Sequence, residues 1–214
     1  MRGLFRARGL PSDAYASWRD SLSSRPGAPV RILAWARADE DFVVGSPALL
    51  SLGGDAQSAE PEPVSDQSAS DGSASDESAS TGTASARSAP ARDAWRHVGW
   101  HQIEHGGWNA ESRSLSWTLY GGRRGRVALR EAGRMPELFR ERVAASIVVE
   151  RFVPIRGERG VTVTARRDLG GSGEVTWHST LTRGLSWSAE GVADEVARAS
   201  AELQSEYGSS SRGW

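Results

Sequence analysis

The sequence predicts an α+β fold of antiparallel type, and three observations carry that prediction. Short runs rich in Val, Ile, Leu and Trp follow one another with turn residues between them and no helix-length segment to cross over. The clearest run, Leu115 to Tyr120, alternates strictly, with Leu115, Trp117 and Leu119 on one face and Ser116, Thr118 and Tyr120 on the other. Helical periodicity is confined to a short N-terminal segment, one segment after the first group of strands, and the C-terminal end.

In chain order, Ser12 to Leu22 reads as a short helix with Tyr15 and Trp18 on one side, closed by Pro26 and Gly27. VRILAWARA (30–38) is the first strand run, and DFVVGSPALLSL (41–52) gives two strands turning at Gly45, Ser46 and Pro47. WRHVGWHQIEHGGW (95–108) carries Val98 and Trp100 in phase and Ile103 out of phase, which predicts a bulge or strand end near Trp100 to Gln102. The turn NAESRS leads into the alternating strand at Leu115. A tight Gly121-Gly122 turn then leads into GRVALRE, where Val127 and Leu129 continue the alternation. Pro136 suits the first turn of a helix, and Leu138, Phe139, Val143 and Ile147 fall at helical spacing through about Arg151. Residues 159–169 and 174–181 form a hairpin over Gly170 to Gly173. Val192, Val196, Ala199, Leu203 and Tyr207 mark one stripe of a closing helix.

Between the third and fourth strand runs lie five near-copies of a five-residue unit, SDQSA SDGSA SDESA STGTA SARSA (65–89). Small and polar residues of this kind bury too little apolar surface to offset an ordering entropy of about 1–2 kcal/mol per residue. Residues 54–92 are therefore expected to be disordered. The strands on either side need one another to make a sheet, so the tract reads as a long loop inside one domain, which loop entropy permits. It is acidic, through Asp55, Glu60, Glu62, Asp66, Asp71, Asp76 and Glu77, whereas the formal charge of the whole 214-residue chain is only −1. The body is mildly basic, and all 26 cationic residues of the chain are arginine. With no cysteine, disulfides, thiolate nucleophiles and Cys-ligated metals are excluded. No run reaches the roughly 18 apolar residues of a membrane span. MRGLFRARGL lacks the apolar core of a secretory signal, and its arginines with Leu4, Phe5 and Leu10 leave open a touch on an anionic membrane surface.

RILAWARA, FVVGSPALLSL and WRHVGWHQIEHGGWNAESRSLSWTLYGG together resemble a bacterial pleckstrin-homology-like domain found in actinobacterial proteins, over about residues 30–130. The resemblance implies a strongly bent antiparallel sheet or partly open barrel plugged at one end by a helix, and binding in place of chemistry. Phosphoinositide recognition does not carry over. The loop that is basic in lipid-binding members is here Arg37-Ala38-Asp39-Glu40-Asp41, whose carboxylates repel phosphate.

His97, His101 and His105 recur every four residues, a metal-ligand spacing on a helix. On a strand the same spacing spans about 13 Å, too far for one ion. Glu104 and Asp168 near histidines, with abundant serine, suggest a hydrolytic triad, but no Gly-x-Ser-x-Gly elbow is present. GGRRGR is neither a phosphate loop nor a dinucleotide fingerprint. Arg123, Arg124 and Arg126 form the densest basic spot, which Arg166 and Arg167 extend if they lie nearby, and which suits an anion, an acidic partner or a nucleic-acid backbone. The tryptophans at 35, 95, 100, 108, 117 and 177 read as core at strand spacing, with a base-stacking platform as the alternative.

The sequence thus predicts an N-terminal extension with a short helix (1–29), one pleckstrin-homology-like domain (30–207) interrupted by 54–92, and a disordered tail (208–214). Its expected function is that of a non-enzymatic, cytoplasmic interaction domain that binds a protein partner, without cofactor, metal or catalytic residues. Arg123, Arg124 and Arg126 are the candidate binding residues. The alternative is nucleic-acid or anionic-membrane-surface binding through the same arginine-rich turn.

Overall fold

A computed structural model describes residues 9–23, 31–39, 41–54 and 95–208. The expectations of a disordered tract at 54–92, a membrane-touching N-terminal segment and a disordered tail fall almost entirely outside these residues.

The fold is α+β and, among the described residues, wholly antiparallel with no closed barrel. Three sheets have strand orders β1-β2-β3-β4, β5-β6-β7 and β10-β9-β8. Helix α1 (Ser12–Ser21) precedes β1 (Ala34–Ala38), β2 (Asp41–Gly45), β3 (Leu49–Leu52) and β4 (Arg96–Gly99). Leu49, Leu50, Ser51 and Leu52 pair with Gly99, Val98, His97 and Arg96, so the strands flanking the repeat tract are direct neighbours in one sheet. A 3-10 turn (Trp100–Gln102) swings the chain into β5 (Ile103–Asn109), β6 (Ser114–Leu119) and β7 (Arg124–Ala128). That turn sits where the hydrophobic phase slips in the sequence.

Both faces of the first sheet are covered. Val43, Leu50 and Leu52 point into the main core with Trp100, Ile103, Leu115, Trp117, Val127 and Leu129. Val44 and Leu49 point the other way, against Trp18 and Leu22 of α1. The N-terminal helix is therefore part of the packed body: Trp18 is fully buried, the Trp95 indole donates to Ser17 Oγ at 3.0 Å, and His97 joins Ser21 Oγ to Ser51 Oγ.

Helix α2 (Met135–Ser146) plugs the space between the first two sheets through Met135, Leu138 and Phe139, with Phe139 edge-on to Trp100 at 5.9 Å. An antiparallel body plugged by a helix is what the resemblance implied. One expectation is corrected. The helix stops at Ser146, and Ile147 to Arg151 open a ten-residue strand β8 (Ile147–Arg156). Ser146 Oγ turns back to the Val143 carbonyl at 2.7 Å, and the β-branched run Ile147-Val148-Val149 favours the extended backbone that follows. The helical spacing of Val143 and Ile147 is a coincidence across that boundary. The predicted hairpin, β9 (Arg159–Arg167) and β10 (Val175–Leu181), becomes a three-stranded sheet with β8, and its far face packs on α3 (Val192–Gly208) through Val161, Val163, Val192, Val196 and Leu203. Among the described residues no helix is long and apolar enough to cross a membrane.

The second sheet keeps Trp117 inside by giving it glycine neighbours. Trp117 lies between Gly106 on β5 and Gly125 on β7, and a Cβ on Gly125 would collide with the indole. Gly125→Ala is therefore expected to lower stability by about 1–3 kcal/mol in urea unfolding. Gly107→Ala, on the open outer face of the same sheet with nothing near its missing Cβ, is expected to be neutral or slightly stabilising. Equal effects at the two positions would contradict this packing.

Candidate functional site

The arginine spot divides at the start of β7. Arg124 and Arg126 are exposed on the outer face of the β5-β6-β7 sheet, where cross-strand pairing sets His105, Thr118 and Arg124 in one row and Gly107, Ser116 and Arg126 in the next. These two rows, about 6.6 Å apart along the strand, line a shallow groove of about 290 Å³. Arg126 Nε donates to Ser114 Oγ at 3.2 Å, which steadies its guanidinium.

Arg123 sits in the β6–β7 turn and faces elsewhere. Gly122 takes a positive φ of 77°, the Gly122 N–H donates to the Leu119 carbonyl, and the Tyr120 N–H donates to Gln102 O at 3.2 Å. The turn is thereby fastened to the 3-10 turn, and a second cleft of about 270 Å³ opens between them and β10. Arg123, His101, Gln102, Leu119, Tyr120 and His178 are among its walls. The Tyr120 and His178 rings stack with centroids 3.6 Å apart and planes 4° from parallel.

Arg166 lies under this stack and is not a surface residue. It is only 2 % exposed, so the expectation that it extends the basic spot is wrong; Arg167, the next residue, is exposed. On β9, alternation sends Val161 and Val163 toward α3, and so sends Arg166 toward the second sheet and α2. There Nε donates to Tyr120 Oη at 3.1 Å, Nη1 to Val143 O at 2.9 Å and Ser146 Oγ at 3.0 Å, and Nη2 to Glu104 O at 3.1 Å. The Glu104 carbonyl is available because the β5 register shifts between Ile103 and His105, leaving Glu104 as the extra residue of a bulge. Val143 O belongs to the last turn of α2, where the helix dipole favours a cation. All four acceptors are neutral.

The histidines serve three separate places. His97 is held by two serines, His105 shares a row with Arg124 across Thr118, and His101 Nδ1 lies 3.4 Å from Asp168 Oδ1, without the alignment of a hydrogen bond. Among the described residues no three His, Cys, Asp or Glu side chains converge as metal ligands. The suggested triad pieces do approach one another in part. However, Ser172 Oγ donates to the Asp168 carboxylate and Thr180 Oγ1 donates to Glu104 Oε1. At Asp168 and Glu104 the hydroxyls sit on the carboxylates and not on an imidazole; the serines that do meet an imidazole, Ser21 and Ser51 at His97, belong to the packing of α1 on the first sheet. The tryptophans at 35, 95, 100, 108, 117 and 177 are all buried or half-buried, and Trp100 and Trp117 belong to the main core.

No pattern in the sequence signals the His178, Tyr120 and Arg166 cluster. These residues are far apart in the chain and meet only because the third sheet packs across the second. Burial and the neighbouring Arg166 guanidinium push the His178 pKa below its ordinary value, as does His101, while Glu104 acts weakly in the other direction. As pH falls through about 6.5 the unfolded chain therefore takes up this proton before the folded one. Stability contributed by neutral His178 is complete above that pH and is lost as pH drops toward the folded pKa. NMR titration should place the His178 midpoint below 6.5, and His178→Phe, which keeps a stacked ring, should flatten the decline in stability between about pH 7.5 and 5. A midpoint at or above 6.5 would contradict the burial of a neutral imidazole beside Arg166.

Comparison of the chain with protein-family models, with curated proteins and with solved structures returned no match.

Proposed function

We propose that this chain is a non-enzymatic, cytoplasmic interaction domain of pleckstrin-homology-like type, and that it binds an acidic segment of a protein partner on the outer face of its second sheet. The observation that carries this reading is the pair of exposed guanidiniums, Arg124 and Arg126, on one face of β7 beside the imidazole of His105 and the hydroxyls of Thr118 and Ser116. Two forked donors about 6.6 Å apart on a rigid strand match carboxylates on alternate residues of an extended peptide, which share one face. The inward residues of the same strands, Trp117 and Val127, hold the platform to the core.

Competing ligands are less well matched. Sequence-independent binding of a single strand relies on stacked aromatic residues, and the candidate tryptophans are absorbed into the packed body. A phosphoinositide headgroup would meet Asp39 and Asp41 at the turn between β1 and β2, and Asp39 is there paired with Arg130 at 3.2 Å.

The test is affinity capture from the native host's lysate by the full chain and by its Arg124→Glu/Arg126→Glu variant, across a salt series and with nuclease in parallel. A discrete protein retained by the wild type after nuclease treatment, and held at least about tenfold less well by the variant, is the expected result. Nucleic acid or lipid that leaves linearly with the logarithm of salt would transfer the function to the alternative reading.

A further inference from the structure

The cleft between the β6–β7 turn, the 3-10 turn and β10 is distinct from the groove assigned to protein binding. Its ionisable walls are Arg123, His101, Tyr120 and His178, and the buried Arg166 lies directly behind Tyr120. The carboxylates closest to it are already engaged: Asp168 accepts from the Gly170 N–H at 2.8 Å and from Ser172 Oγ, and Glu104 accepts from Thr180 Oγ1. Arg166 therefore carries a buried charge satisfied in hydrogen bonds but not neutralised by any carboxylate among its partners. Burying a cation in this way leaves a positive potential that a counter-ion would relieve. Arg123 is exposed at the rim of the cleft, while His101 lines it with its Nδ1 edge turned to Asp168 at 3.4 Å.

From this cluster we infer that the cleft is a binding site for a small oxyanion, a phosphate or carboxylate group, held by Arg123 over the Tyr120–His178 stack. A cleft of about 270 Å³ lies just below the usual range for small-molecule sites and accommodates such a group with a short organic stem along Leu119. Bound negative charge would oppose the Arg166 field at His178, so ligand binding and His178 protonation favour one another. Asp168 and Glu104 are the acidic groups facing the cluster, and they limit the site to groups that gain a forked hydrogen bond from Arg123.

The experiment is an NMR titration of the full chain with sodium phosphate and, separately, with sodium acetate, at constant ionic strength and near the ordinary histidine pKa of about 6.5. Saturable shifts centred on Gly121, Arg123, Thr176 and His178 are expected, together with a rise in the His178 midpoint at saturation. Arg123→Gln should weaken the binding at least about tenfold, while Arg124→Gln leaves it unchanged. Arg123 is exposed on a turn, and an unchanged thermal midpoint in its variant would show that any loss is not unfolding. Saturation by phosphate alone assigns the site to phosphate groups, and equal saturation by both anions assigns it to carboxylates as well. Shifts that grow linearly with either anion and spread over all exposed arginines would overturn the inference. So would equal loss in the two variants, which would instead place the anion in the groove of the second sheet.

Discussion

One buried guanidinium ties the third sheet to the second sheet and to α2. Arg166 comes from the third sheet and ends on the C-terminal turn of α2, the bulge of β5 and the hydroxyl of Tyr120. These acceptors lie in the second sheet, in the turn that follows its middle strand, and in α2. A planar group with fixed donor directions satisfies them together only in one relative placement. A hydrophobic contact of the same size would tolerate sliding; this contact does not. The end of α2, the bulge at Glu104 and the opening of β8 at Ile147 are three local irregularities that this side chain makes mutually consistent.

The same placement divides the surface into two basic regions. Fixing β10 beside the β6–β7 turn creates the Tyr120–His178 stack and the cleft that Arg123 borders, while Arg124 and Arg126 are left on the open sheet. The interior of that sheet is built so that its outer face has no packing duty. Trp117 fills the space that Gly106 and Gly125 vacate, and Leu115 and Val127 complete the inward row. Charge on the outside and bulk on the inside follow from strand alternation alone.

The order and class of the elements were largely legible because each depends on local patterning. Alternation at Leu115 to Leu119, the phase slip before Ile103 and the stripe from Val192 to Leu203 all express which face of an element is covered. The boundary at Ser146 was not legible, since Ile147 fits both the helical repeat and the β-branched run after it. The arginine groove was half legible: adjacency in sequence suggested one basic spot, and strand geometry sends Arg123 to a different place. The cluster around Arg166 was not legible at all. An arginine next to another arginine on a polar hairpin gives no sign of burial, because the acceptors that make burial tolerable come from residues 104, 120, 143 and 146.

The most direct measurement of this coupling is hydrogen exchange on the Arg166→Met variant, read alongside its urea unfolding. Methionine retains an unbranched apolar stem and leaves four acceptors without their donor, a loss of about 2–4 kcal/mol. If Arg166 sets the assembly, amides of β8 to β10 and α3 will lose protection ahead of those in β1 to β7, and unfolding will broaden or split into two steps. Uniform protection with an unchanged midpoint would show that apolar packing alone positions the third sheet, and would refute the organising role of this guanidinium.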